Sequence, residues 1–176
     1  PFRLVTLADE GITEENAEDG QSFAENATLK ARGYASLRGF LTLADDSGLE
    51  VDTLNGEPGI YSARYGGETS DEGRIRRLLR EMEGVPWEKR TARFKCVIAI
   101  ASNTGLATCT GQCRGVITFE SRGTGGFGYD PVFYVPELGK SMAELSFQAK
   151  NRMSHRGRAA TKARQILRNI LKAPSP

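Results

Sequence analysis

The sequence predicts an α/β fold: a mixed β-sheet with helices packed on it. Three observations carry that expectation. Helical and strand patterns alternate through the first half of the chain, strand patterns cluster in the second half, and no repeat or linker divides the 176 residues. The length suits one domain with a sizeable core. With 39% hydrophobic and 26% charged residues the chain belongs with folded proteins rather than disordered ones.

The elements follow in order. "FRLVTLAD" (residues 2–9) reads as a strand. It sits directly after Pro1, with no Met before it, so the sequence reads as one entered part-way. Ser22-Phe23-Ala24-Glu25 is a capping box, in which a Ser oxygen and a Glu carboxylate satisfy free amides at a helix start. That helix should run to about Arg38, with Ala27, Ala31, Tyr34 and Ala35 as its apolar face and Gly39 as its cap. Leu41 to Ala44 is a buried strand. An acidic turn follows, and then a second strand in which Leu49 and Val51 alternate with Glu50 and Asp52. Thr69 to Glu72 matches another capping box. It opens a helix through Ile75, Leu78, Leu79 and Met82 that ends at Gly84. Residues 93–101 form a strand, Asn103-Thr104-Gly105 a hairpin loop, and residues 106–119 the return. Val132 to Val135 is a short strand. One final helix starts at Ser146 and buries Ala159, Ala163, Ile166, Leu167 and Ile170.

The totals exclude several classes. A net charge of +2 is too small to imply nucleic-acid binding by itself, although residues 150–172 carry Lys and Arg and no acid. The longest apolar run, Cys96 to Ala101, is far too short to span a membrane. Cys96, Cys109 and Cys113 are odd in number and loosely spaced. They read as small apolar strand residues in a reducing compartment, so a cytoplasmic location is expected.

Four stretches are more polar or glycine-rich than packing requires. "ENAEDGQSF" (15–23) places acids before a helix N-terminus, where they complement its dipole. "ADDSG" (44–48) reads either as a turn, which such residues favour, or as a metal site, since adjacent carboxylates repel and a cation would relieve them. "GTGGFGYDP" (123–131) is neither a P-loop nor a dinucleotide fingerprint, because no helix begins there. Its glycines allow close backbone approach, and Phe127 or Tyr129 could stack on a flat base or fill the core. Asp130 could accept hydrogen bonds from a purine edge. "KNRMSHRGRA" (150–159) is a solvated basic face or a phosphate-binding one.

Together, "SFAENATLKA", "ADDSGLEVD", "GEPGIYSARYGG", "GTGGFGYDPVF" and "SHRGRA" resemble, in that order, the motifs of the inosine triphosphate pyrophosphatase (Ham1) family, from about Asp19 to Ala159. The resemblance implies an elongated mixed sheet, two lobes around a central cleft and a homodimer. It implies magnesium-dependent hydrolysis, with manganese as an alternative, of deaminated purine nucleoside triphosphates (ITP, dITP, XTP) to the monophosphate and pyrophosphate. A pyrophosphatase for other modified nucleotides is the nearest rival. A nucleic-acid-binding module using the basic last helix is a more distant one. No membrane and no stable nucleic-acid partner are expected.

By the same resemblance Asp46 is the catalytic residue and a metal ligand, and Glu18 is the other acid at the metal. Ser47 matches a hydroxyl that contacts substrate; from their own chemistry, Lys30 is a candidate phosphate-facing cation and Asp45 a secondary candidate for supporting the site from behind. Phe127, Gly128, Tyr129, Asp130, Lys150, His155 and Arg156 hold the base. The family's opening strand and its Gly/Asn/Lys loop, which grip the triphosphate, have no counterpart here. The expectation is a sequence lacking that segment.

Overall fold

The structure is a computed structural model that describes residues 3–13, 19–103 and 105–172. Its nine regular elements run α1 (Phe23–Arg38), β1 (Thr42–Val51), α2 (Asp71–Glu81), β2 (Thr91–Ala101), β3 (Leu106–Ile117), β4 (Phe133–Val135), β5 (Lys140–Ser141), α3 (Phe147–Met153) and α4 (His155–Lys172). The strands form one sheet in the order β1-β2-β3-β4-β5. Helices lie against this sheet, as expected. The expected mixture of strand directions is not seen among the described residues, where every neighbouring pair is antiparallel. The short β2–β3 and β4–β5 connections allow no other sense.

The α1 boundaries are those the capping signals predict. Ser22 Oγ accepts the Glu25 amide at 3.2 Å, and Glu25 in turn accepts the Gln21 amide at 2.6 Å. At the other end Gly39 takes a left-handed φ of 70° and donates its amide to Ala35. The α2 cap lies one residue later than expected, because Ser70, not Thr69, accepts the Gly73 amide.

Three larger expectations are corrected. The acidic turn is absent: β1 runs unbroken through Asp45, Asp46, Ser47 and Gly48. Its partner β2 offers a continuous ladder from Thr42↔Ala101 to Val51↔Ala92. With the backbone satisfied by that ladder, the Asp and Ser side chains bond across the sheet faces instead of bending the chain locally. The single last helix is two, since Ser154 is extended (φ −63°, ψ 158°) and divides α3 from α4. Its Oγ then caps α4 by accepting the Gly157 amide at 3.1 Å. Residues 3–13 form no strand; Leu7 to Gly11 is a turn. No strand among the described residues lies beside them, and an unpaired strand cannot satisfy its backbone.

Both faces of the sheet are covered. Val97, Ala99 and Ala101 of β2 pack under Phe23, Ala27, Ala31 and Ala35 of α1. The opposite face of β2, with Cys96, Ile98 and Ile100, packs under Ala159 and Ala163 of α4. A third cluster joins Leu49, Leu78, Phe94, Ile117 and Phe133. The closest approach of helix to sheet is at Gly111 in β3. A methyl group there would overlap the His155 carbonyl and the Ala159 amide, so α4 rests directly on the strand backbone. Arg90 is 2% exposed. Its guanidinium donates to the carbonyls of Met82, Val85, Ile117 and Thr118.

Candidate active site

Adjacent residues in a strand point to opposite faces, and β1 applies that rule to its two acids. Asp46 faces α1. There it accepts Asn26 Nδ2 at 3.2 Å and pairs with Lys30 Nζ at 3.3 Å. Asn26 and Lys30 are four residues apart, on one face of α1. Asn26 is itself buried and accepts the Gly20 amide, tying the chain before α1 to the same spot. Asp45 faces the other way, toward Ser47 Oγ at 2.9 Å and Arg156 Nε at 3.4 Å. The pleat thus turns the neighbouring carboxylates to opposite faces of the strand, each beside its own cation. Glu18 lies outside the described residues.

On the Asp45 side of β1 a cavity of about 580 Å³ opens between the sheet, the glycine-rich segment and the α3–α4 corner. Ser47 lines it from β1. Phe127, Gly128, Tyr129 and Asp130 line it from the glycine-rich segment, and Lys150, His155 and Arg156 from the two helices. The structure therefore brings eight of the predicted site residues around one space. Lys30 and Asp46 stand outside this lining, on the far face of the same strand.

The two loop aromatics do different things. Tyr129 is a core residue, 3% exposed, and its hydroxyl donates to the Ser62 carbonyl at 3.0 Å. Burial pushes its pKa well above the usual range. Phe127 is 61% exposed, and its ring centroid lies 4.8 Å from Lys150 Nζ and 5.3 Å from the Arg156 guanidinium. Asp130 shapes the loop: its buried carboxylate accepts the Phe127 amide at 2.9 Å and pairs with Lys150. Gly126, at φ 78°, makes that possible, since a Cβ there would overlap the Asp130 carboxylate.

His155 is 6% exposed and stacks on Phe94 with centroids 4.8 Å apart. Its Nδ1 is buried without a hydrogen-bond partner. Burial, then the Arg156 and Lys150 charges, push its pKa down to about 3, so the ring is neutral at ordinary pH. Sequence reasoning overlooked two further residues here. Asp71 accepts the Gly128 amide at 2.6 Å and pairs with Arg74, and both line the cavity. The Gly128 amide holds the Asp71 carboxyl below the usual range. Asp71's position in the first turn of a capped helix fits dipole complementation and so did not mark it out, and Arg74 carried no signal of its own.

The three cysteines are free thiols, two of them buried. Burial raises the Cys96 pKa to about 11, which makes it a poor nucleophile and a packing residue.

A model of the Ham1 family matches residues 1–166 of this chain. The dITP/XTP pyrophosphatase of Desulforamulus reducens is 52% identical over 172 residues, 96% of this chain and 85% of that protein. The protein of the same name from Geobacter sulfurreducens is 55% identical over 161 residues, covering 90% of this chain and 81% of its own length. Among solved structures, the Staphylococcus aureus Ham1 protein superposes with a TM-score of 0.90 at 41% identity, covering 95% of this chain and 87% of that one.

Proposed function

Because the chain belongs to the Ham1 family, we propose that it is a pyrophosphatase for purine nucleoside triphosphates carrying an oxo group at C6: ITP, dITP and XTP. The observation that carries this reading is the convergence of eight predicted base- and substrate-binding residues on one cavity, with Asp46 on the next residue of the strand that supplies Ser47. The names borne by the relatives support the same substrate class.

The cavity suits a deaminated, 6-oxo purine. Phe127 offers an exposed ring for stacking, and Lys150 and Arg156 beside it are donors only. A C6 oxo group accepts from such donors. Adenine's C6 amine would face them donor to donor, and in a buried site the unpaired groups are costly. The neutral His155 adds a polar ring without adding charge.

Asp46 has the chemistry to hold a divalent cation. Among the described residues no three His, Cys, Asp or Glu side chains come together, and Glu18, the other acid expected at the metal, lies outside them. A single carboxylate shared with phosphate oxygens and water is the way magnesium is commonly bound, and Asp46 fits that arrangement. When bound, the ion neutralises charge on the phosphates and makes water more acidic. Asp46 accepts the proton of the attacking water, whose oxygen bonds to the α-phosphorus as the α–β anhydride bond breaks and pyrophosphate leaves. Lys30, 3.3 Å from Asp46, supplies a cation for the phosphate chain. The reading includes the family's homodimer. It also includes a cytoplasmic setting, which fits three unpaired thiols and the lack, among the described residues, of any helix long and apolar enough to cross a membrane.

The test is product release from ITP, XTP, dITP, GTP and ATP with magnesium. Pyrophosphate should appear much faster from the first three; the C6 oxo group sets them apart from ATP, while GTP shares that group and has to be rejected through its 2-amino group. Equal rates on all five, or orthophosphate as first product, would reject the assignment. Asp46→Asn should abolish turnover with the thermal midpoint nearly unchanged, and retained turnover would remove Asp46 from its role.

A further inference from the structure

Four aromatic side chains line the cavity, and they fall into two pairs. Phe94 and Tyr129 are 7% and 3% exposed and belong to the core. Phe127 and Phe147 are 61% and 80% exposed. Phe147 is the first residue of α3, directly after its Ser146 cap. It belongs to none of the hydrophobic clusters, although its neighbour Leu145 does. Its exposed ring lines the cavity without packing into the core.

Its place on the helix suggests what the ring does. Phe147, Lys150 and Asn151 fall at i, i+3 and i+4, one face of α3, and all three line the cavity together with Ser154, which follows the helix. Lys150 on that face lies 4.8 Å from the Phe127 centroid, with Arg156 at 5.3 Å. The Phe127 ring is therefore already shared with two cations. A flat base bound there still needs an apolar surface for its other side, and Phe147 is the exposed ring on the facing helix.

We infer that Phe147 is a second aromatic wall of the base site, which a bound purine covers and which sets the affinity for the base. This rests on the reading of the cavity as a purine site. The ring takes no part in the reaction, so its effect falls on binding and not on turnover. Stacking on an aromatic side chain is sequence-tolerant, because every base has a π-face. The wall should therefore strengthen binding of all purines alike, leaving the choice among them to the charged groups.

The test is titration calorimetry with xanthosine monophosphate, alongside steady-state hydrolysis of XTP. Phe147→Ala and Phe147→Leu should each raise the Kd and the KM by about five- to 150-fold, the range expected from losing one stacked ring. kcat and the thermal midpoint should stay near wild type, and Phe147→Tyr should restore both constants. Unchanged Kd in Phe147→Ala overturns the inference. So does a Leu variant that binds as well as the Tyr variant, since that means apolar bulk alone. A fall in thermal midpoint that accounts for the binding loss overturns it too, as a structural role. Failure of the wild type to release pyrophosphate from XTP would strike the proposed reaction alone, because the monophosphate titration reads the base site without it.

Discussion

Gly111→Ala tests how the site is held together. Gly111 touches no predicted site residue's side chain; it lies in β3 beneath the start of α4. A methyl group there would overlap the His155 carbonyl and the Ala159 amide, and would stand 3.0 Å from Ala159 Cα, where ordinary contact begins near 3.4 Å. These neighbours are backbone, so no rotamer change relieves the overlap. The helix has to retreat by about 1 Å, because close-packed interiors cannot absorb an extra methyl. Overpacking of this kind costs about 1–3 kcal/mol, which for a chain of this size lowers the thermal midpoint by roughly 5 °C. The retreat carries His155 and Arg156 away from the cavity. Misplacement on that scale can lower kcat/KM by about tenfold to a hundredfold. Calorimetric melting and XTP kinetics read the two effects. Gly105→Ala is the control, since its added methyl meets only Ser102 Oγ at 3.8 Å. If Gly111→Ala keeps wild-type KM while its melting temperature falls, the helix start does not set the geometry of the cavity and the reasoning fails.

Arg90→Met should destabilise the fold by about 3 kcal/mol or more, because four carbonyls lose their buried donor; a loss below about 1 kcal/mol in urea unfolding would show that they find other partners. His155 is the single histidine, so its ring resonances in NMR are unambiguous. They should show no protonation between pH 5 and 8, and an inflection near 6.5 would contradict the burial argument. Its folded pKa, about 3, lies below the unfolded value, so the unfolded chain gains a proton that the fold refuses. Stability is then full above pH 6.5 and falls as the solution is acidified, by up to about 1.4 kcal/mol per pH unit, a slope that His155→Gln should flatten in denaturant titrations between pH 5 and 6.5. Asp71→Ala should raise the KM for XTP by about tenfold by releasing the Gly128 amide, whereas Asp71→Asn, which keeps an acceptor oxygen, should stay near wild type; equal effects of the two would point to charge instead.

Elements whose signals are local were legible in the sequence. The α1 caps, the apolar face of α2 and the long β2 strand stand close to where periodicity and capping put them. What failed depended on a partner distant in sequence. Asp45-Asp46-Ser47-Gly48 has the composition of a turn, and only the ladder supplied by β2, some fifty residues later, keeps it extended. The break at Ser154 was hidden because Ser and Gly inside a helical pattern are tolerated. Gly157 was the available clue, since a side chain there would overlap the Asn151 carbonyl. In the site, Ser47, the glycine-rich segment and the α3–α4 residues line one cavity, whereas Asp46 and Lys30 lie on the other face of β1 and Glu18 lies outside the described residues. Asn26, Asp71 and Phe147 were missed because each looks like ordinary helix furniture until the fold shows what it faces.

The back-to-back setting of Asp46 and Ser47 has a mechanical meaning. One rise of about 3.3 Å along a single stiff strand separates the group assigned to bond breaking from the group assigned to grip. Neither can drift without dragging the other, so this enzyme has little freedom to retune recognition and chemistry independently along β1. Deleting one residue upstream in that strand would exchange the two tasks between faces and disable both, while the hairpin tip around Gly105 could change length at small cost.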